Sequence, residues 1–144
     1  DRKPIPLSYT TDEFVPFNFE YNVKKILNII KKASVQPVLL TLPKLIPNAL
    51  SRLTVAIKEK ASLRDFLKDD DYKGFIQLYK SYDSLLHQIA KESETPLFDA
   101  AARFNKVEDS RASYFDDNRH LTSKGSRLLG EYVAESLIDK GIIQ

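Results

Sequence analysis

The chain holds two stretches that read as β-strand, Pro37-Val38-Leu39-Leu40-Thr41 and Pro96-Leu97-Phe98-Asp99, and that count constrains its fold most. Each follows an amphipathic helix. Ahead of the first, Val23, Ile26, Leu27 and Ile30 fall on one face of a helix expected over about 18–34, with Lys24, Lys25, Lys31 and Lys32 largely off it. Ahead of the second, Phe75, Leu78, Tyr79, Tyr82, Leu85, Leu86 and Ile89 make one apolar stripe on a helix expected over about 72–92. The run at 37–41 is apolar on both faces, as a strand buried in a parallel sheet would be. Helices alternating with strands indicate the α/β class. A stable sheet needs at least about three strands, so the expectation is the C-terminal half of a doubly wound fold whose first strands lie outside this chain.

The rest of the chain fills in around those units. Residues 1–17 carry three prolines and read as an irregular lead-in. Short helices are expected near 50–58 and 62–68, beyond Pro43 and Pro47. Ala100–Phe104 reads as a helical turn and 105–116 as a polar connection. A last helix is expected from the N-cap hydroxyl of Thr122 through Leu128, Leu129, Tyr132, Val133 and Leu137 to Lys140-Gly141. At 144 residues this is one domain.

Composition narrows the function classes. A net charge of +2 is too balanced for a nucleic-acid surface or a membrane-surface helix. No apolar run approaches the ~18–20 residues that cross a bilayer. With no Cys there is no disulfide, thiolate metal site or Cys nucleophile. The four glycines, Gly74, Gly125, Gly130 and Gly141, are not clustered, so neither a phosphate-cradling loop nor a nucleophile elbow is present. The absence of Met implies that Asp1 is not a translation start and that the chain derives from something longer. Localisation, secreted, periplasmic or cytoplasmic, stays open.

Two histidines are the candidate bases. His87 lies off the apolar stripe of its helix and reads as a solvated surface residue. His120 stands in Asp116-Asp117-Asn118-Arg119-His120-Leu121-Thr122, ahead of the capped last helix. A carboxylate three residues before an imidazole can meet its Nδ1–H in a turn, fix the tautomer, leave Nε2 as the base and stabilise the imidazolium. The competing reading is an Asx-turn made by Asp117, with His120 packed beside the helix start. A metal site would need further His or carboxylate ligands that the sequence does not assign, and no cofactor is expected.

The motif Asp117-x-x-His120-Leu121-Thr122-x-x-Gly125, followed by an amphipathic helix, resembles the last block of the SGNH/GDSL hydrolases, esterases and acylhydrolases of flavodoxin-like α/β fold. The helix–strand pairs ending at Pro43 and at Asp99 resemble the family's penultimate and final pairs, so the likeness runs from about residue 17 onward. It implies the C-terminal part of a single SGNH-hydrolase-like domain: a serine ester hydrolase with His120 as base and Asp117 as its orienter. The family spacing selects Asp117 over Asp116. Thr122 would cap the helix and Gly125 would serve close packing. The family's Gly-Asp-Ser nucleophile block, oxyanion Gly and Gly-x-Asn-Asp block have no counterpart here; residues 1–17 contain no Gly, and Ser8 lacks elbow context. The expected partners are therefore an ester substrate, an acyl-lipid or acylated sugar, and either a missing N-terminal half or a second copy of the chain. Ligands of doubly wound sheets sit beyond the carboxyl ends of strands, which would put Thr41, Leu42 and Pro43 at the substrate entrance. The alternative is a non-catalytic interaction or carbohydrate-binding module on a degenerate version of the fold.

Overall fold

The computed structural model describes residues 17–45 and 69–143. Its elements are α1 (Phe17–Lys32), β1 (Leu39–Leu40), α2 (Asp69–Glu92), β2 (Leu97–Phe98), α3 (Ala100–Asn105), a 3₁₀ helix (Glu108–Tyr114) and α4 (Ser123–Asp139). The lead-in to residue 16 and the helices expected near 50–58 and 62–68 lie outside the described residues.

A flavodoxin-like doubly wound sheet is not what these residues form. They are mostly helical, with one parallel sheet of two strands. Leu39 pairs with Leu97 and Leu40 with Phe98, so the pairing is parallel, but each strand contributes only two residues. Proline sets that limit. Pro37 and Pro43 flank β1 and Pro96 precedes Leu97, and none has an N–H to extend a ladder. Nor is β1 buried on both faces: Leu39 is half-buried and Leu40 is exposed. The N–H groups of Leu39 and Thr41 donate to Pro96 and Phe98 carbonyls at 2.8 and 3.1 Å. Peptide groups alternate in direction along a strand, so those of Leu40 face away from β2.

The unit of helix, stop and strand occurs twice. Ser34 ends α1 at φ 57° and Glu94 ends α2 at φ 51°. In each case the next amide reaches back across the last turn, Val35 N–H to Ile30 at 3.2 Å and Thr95 N–H to Ala90 at 2.9 Å. This closure satisfies carbonyls left open at a helix end. It turns the chain into the strand within a few residues. α1 and α2 pack together through Leu27 and Ile89, both buried, and through Phe19 edge-on to Tyr82 at 4.9 Å. Ile26, expected on that face, is exposed; the inward stripe runs through buried Leu27 and half-buried Val23 and Ile30.

A second apolar cluster forms around Leu45, Ile76, Phe104 and Phe115, with Tyr114, Leu121, Leu128 and Leu129 against it. Phe104 meets Phe115 edge-on at 5.5 Å. Ile76, which the stripe omitted, is among its buried members. The segment expected to be a polar connection is the 3₁₀ helix, and it carries a buried Arg111 into this core. Thr122 caps α4, accepting the Gly125 N–H at 3.2 Å and donating to the Ser113 carbonyl at 2.9 Å. Gly125 is required at its position. A Cβ there would collide with the Tyr114 carbonyl oxygen, with the carbonyl carbon 3.0 Å and a Leu121 methyl 3.1 Å away.

Candidate functional site

The 3₁₀ helix delivers the chain to Phe115, which bridges Leu121 in antiparallel fashion. Between them residues 116–120 close into a turn, the Asp116 N–H donating to the His120 carbonyl at 2.9 Å. Inside it Asp117 does two things. Its Oδ1 accepts the N–H groups of Arg119 and His120 at 2.9 and 2.8 Å, an Asx-type closure. Its Oδ2 faces His120 Nδ1 at 2.6 Å. The carboxylate thus closes the Asx-turn through one oxygen and meets the imidazole through the other, while the His120 side chain is exposed and not packed beside the helix start. The Arg119 N–H, then the His120 side chain, then the His120 N–H hold the Asp117 carboxyl far below the usual carboxylate range.

With Nδ1–H donated to a carboxylate, the lone pair of neutral His120 is on Nε2. That nitrogen is hydrogen-bonded to no described residue, and the side chain is 66% exposed. The imidazole is therefore oriented from behind and open in front. Such an arrangement can take a proton from an incoming hydroxyl and hold the resulting cation against Asp117.

The strand-end residues do not meet this turn directly. Thr41 is buried, its hydroxyl donating to Asp99 Oδ1 at 2.8 Å and accepting the Ala101 N–H at 2.9 Å. Asp99 Oδ1 also caps α3 through the Ala102 N–H at 2.9 Å. Thr41 is thus a clasp between β1 and α3. Leu42 is exposed and Pro43 buried. Contact with the turn comes two residues later, where the Leu45 N–H donates to the Asn118 carbonyl at 2.9 Å.

Three residues near the turn carried no sequence signal. Lys44 Nζ is buried, 3.1 Å from Asp83 Oδ2 and 3.9 Å from the Tyr79 ring centre. Burial pushes the Lys44 ammonium down and the Tyr79 phenol up. Asn118 is buried, and its Oδ1 has no hydrogen-bond partner among the described residues. Arg111 is enclosed by carbonyls. Isolated charged or amide residues in short irregular segments have no periodicity to betray burial. His87, read as a surface residue, is half-exposed; its Nδ1 lies 2.8 Å from the Asp83 carbonyl and its Nε2 3.5 Å from Asp99 Oδ2.

Among the described residues no group of three His, Asp or Glu side chains could hold a metal ion, and no helix is long and apolar enough to cross a membrane. No protein-family model matches the chain, and no curated protein matches it.

Proposed function

We propose that this chain carries the base arm of a serine ester hydrolase, with His120 as general base and Asp117 as its orienter. One observation carries the reading: the 2.6 Å contact from Asp117 Oδ2 to His120 Nδ1 on an exposed imidazole. The likeness of Asp117-x-x-His120-Leu121-Thr122-x-x-Gly125 to the last block of the SGNH/GDSL hydrolases supports it further. In this reading a serine from outside the described residues attacks the carbonyl of an ester, an acyl-lipid or acylated sugar, and His120 Nε2 takes the hydroxyl proton. The leaving alkoxide receives that proton, and water, activated by the same nitrogen, releases the acyl group. The oxyanion donors come with the serine.

The test is hydrolysis of a short p-nitrophenyl ester by the polypeptide that carries this chain together with the serine. His120→Ala is expected to lower kcat by about a thousandfold or more, and Asp117→Asn to lower it with KM little changed. The 144-residue chain by itself is expected to be inactive. An unchanged kcat in His120→Ala removes His120 from the mechanism. Hydrolysis by the chain alone that depends on His120 would place the serine inside it.

A non-catalytic interaction module is the second reading. It is favoured by the exposed apolar side chains of Tyr21, Ile26 and Ile29 on α1 and of Leu42 beyond β1. The same assay separates the two.

A further inference from the structure

Arg111 is only 2% exposed, and its guanidinium gathers three main-chain carbonyls from two distant stretches. Nε donates to Leu45 at 2.6 Å, Nη1 to Phe104 at 2.7 Å, and Nη2 to Lys44. The peptide group that joins Lys44 to Leu45 is therefore held from both sides. Its carbonyl, that of Lys44, is taken by Arg111, and its N–H, that of Leu45, donates to the carbonyl of Asn118, inside the Asp117–His120 turn. A second route reaches the same turn. The guanidinium lies 5.7 Å from the ring centre of Phe115, the buried residue from which the chain enters residue 116.

The bonds within the turn are all local. Asp116 to His120, Asp117 to the two following amides, and Asp117 to the imidazole set its shape. They do not set where it stands. Its position relative to the end of β1 depends on what joins the two, and among the described residues the hydrogen bond doing so is Leu45 N–H to the Asn118 carbonyl. From this geometry we infer that Arg111 is a positioning residue for His120. It fixes the Asp117–His120 pair relative to the strand ends by holding the Lys44–Leu45 peptide against the turn. The inference rests on the reading of His120 as the base. A planar fork with several fixed donors can span carbonyls of residues 44, 45 and 104 at once, whereas the single nitrogen of a lysine cannot. A shift of about 1 Å at a base can cost on the order of 100-fold in rate, so a loosened seat has a kinetic consequence even when the pair itself is intact.

The experiment compares wild type with Arg111→Lys and Arg111→Met in the ester-hydrolysing polypeptide. It measures amide exchange at Leu45 and Thr122, the imidazole resonances of His120, and kcat and KM. In Arg111→Lys the Leu45 amide should exchange about tenfold faster while Thr122 is unchanged, because only the seat of the turn is released. The Nδ1–H signature of the Asp117 hydrogen bond should persist, and kcat should fall roughly ten- to hundredfold with KM within about twofold. If Arg111→Met does not fold, Arg111→Lys alone decides. An unchanged Leu45 amide overturns the inference. So does a kcat within about twofold of wild type despite faster Leu45 exchange, since Arg111 would then be a core stitch only. Should His120→Ala leave hydrolysis intact, the hydrolase reading falls, and the Leu45 and Thr122 exchange rates still judge the mechanical link.

Discussion

Gly125→Ala and Gly130→Ala are the same substitution on the same helix, and the structure gives them opposite signs. At Gly130 an added methyl meets nothing within 4 Å. Only propensity acts there, and Ala is favoured over Gly in a helix by about 0.8–1 kcal/mol. At Gly125 the same gain is overwhelmed. The methyl carbon lands on the Tyr114 carbonyl, a main-chain group that cannot swing aside as a flexible side chain can. The first turn of α4 and the end of the 3₁₀ helix must separate by roughly 1 Å to restore ordinary contact distances. Overpacking of this kind costs ~3 kcal/mol at the rigid end of its range. The separation also stretches the Thr122 N–H bond to Tyr114, now 3.1 Å, which forfeits about 1 kcal/mol more. The net loss for Gly125→Ala is therefore about 3 kcal/mol, once the propensity gain of about 1 kcal/mol is returned. At ~4 °C per kcal/mol that lowers Tm by about 12 °C, whereas Gly130→Ala raises it by about 3 °C. Thermal melts followed by circular dichroism at 222 nm measure both. A Gly125→Ala Tm within about 2 °C of wild type would refute the close approach of α4 to Tyr114, and a lowered Tm in Gly130→Ala would refute the open surface there.

The pH dependence of stability should reveal Asp117. Its folded carboxyl titrates far below the unfolded one, so its contribution is fully present above about pH 4 and is lost as pH falls toward the folded value. The Tm gap between wild type and Asp117→Asn is expected to narrow steadily as pH falls below about 4; a gap that stays constant there would contradict the hydrogen bonding described. Removing Asp83 leaves the Lys44 ammonium buried against the Tyr79 ring face without its carboxylate partner. Asp83→Ala should cost ~3 kcal/mol in urea unfolding, and Lys44→Met in the same chain should recover most of it. The single variant should also regain stability as pH rises from 7 toward about 10, because its lysine binds protons more weakly folded than unfolded. Equal losses in the single and double variants would show the pair to be unimportant.

What the sequence disclosed was periodic or local. Val23, Leu27 and Ile30 mark α1, the Leu78–Ile89 stripe marks α2, and both short apolar runs do form strands that pair in parallel. Thr122 as a cap, Gly125 as a close contact and Asp117 beside His120 are all decided between Tyr114 and Gly125, and each was legible. The sheet was not. Nothing in Pro37–Thr41 says how many neighbours a strand has; the expectation of a doubly wound sheet came from counting two strands and supplying the missing ones, and the likeness to a family only reinforced it. The prolines on either side of β1 and the one ahead of β2 carried the correct warning, that the ladder could not run beyond a couple of residues. Arg111, Lys44 and Asn118 escaped for another reason. Each is a polar residue whose burial is imposed by chain stretches far away in sequence. Local pattern gives a buried arginine and a solvated one the same appearance.

The spacing of these contacts along the chain also orders its assembly. Asp117 and His120 are three residues apart, and the Thr122–Ser113 bond spans nine. Thr41 and Asp99 are 58 apart, and Arg111 reaches back 66 residues to Leu45. Closing a loop of 66 residues rather than nine costs about 2 kcal/mol more in chain entropy before any contact rewards it. Short-range contacts of this kind form early and long-range ones late. The turn that holds the imidazole belongs to the part of the chain that can form first, within the 3₁₀ helix and the start of α4. Its seat belongs to the last part to close, when β1 comes home beside β2 and Leu45 reaches Arg111. Until then the Asp–His pair has its shape but not its address.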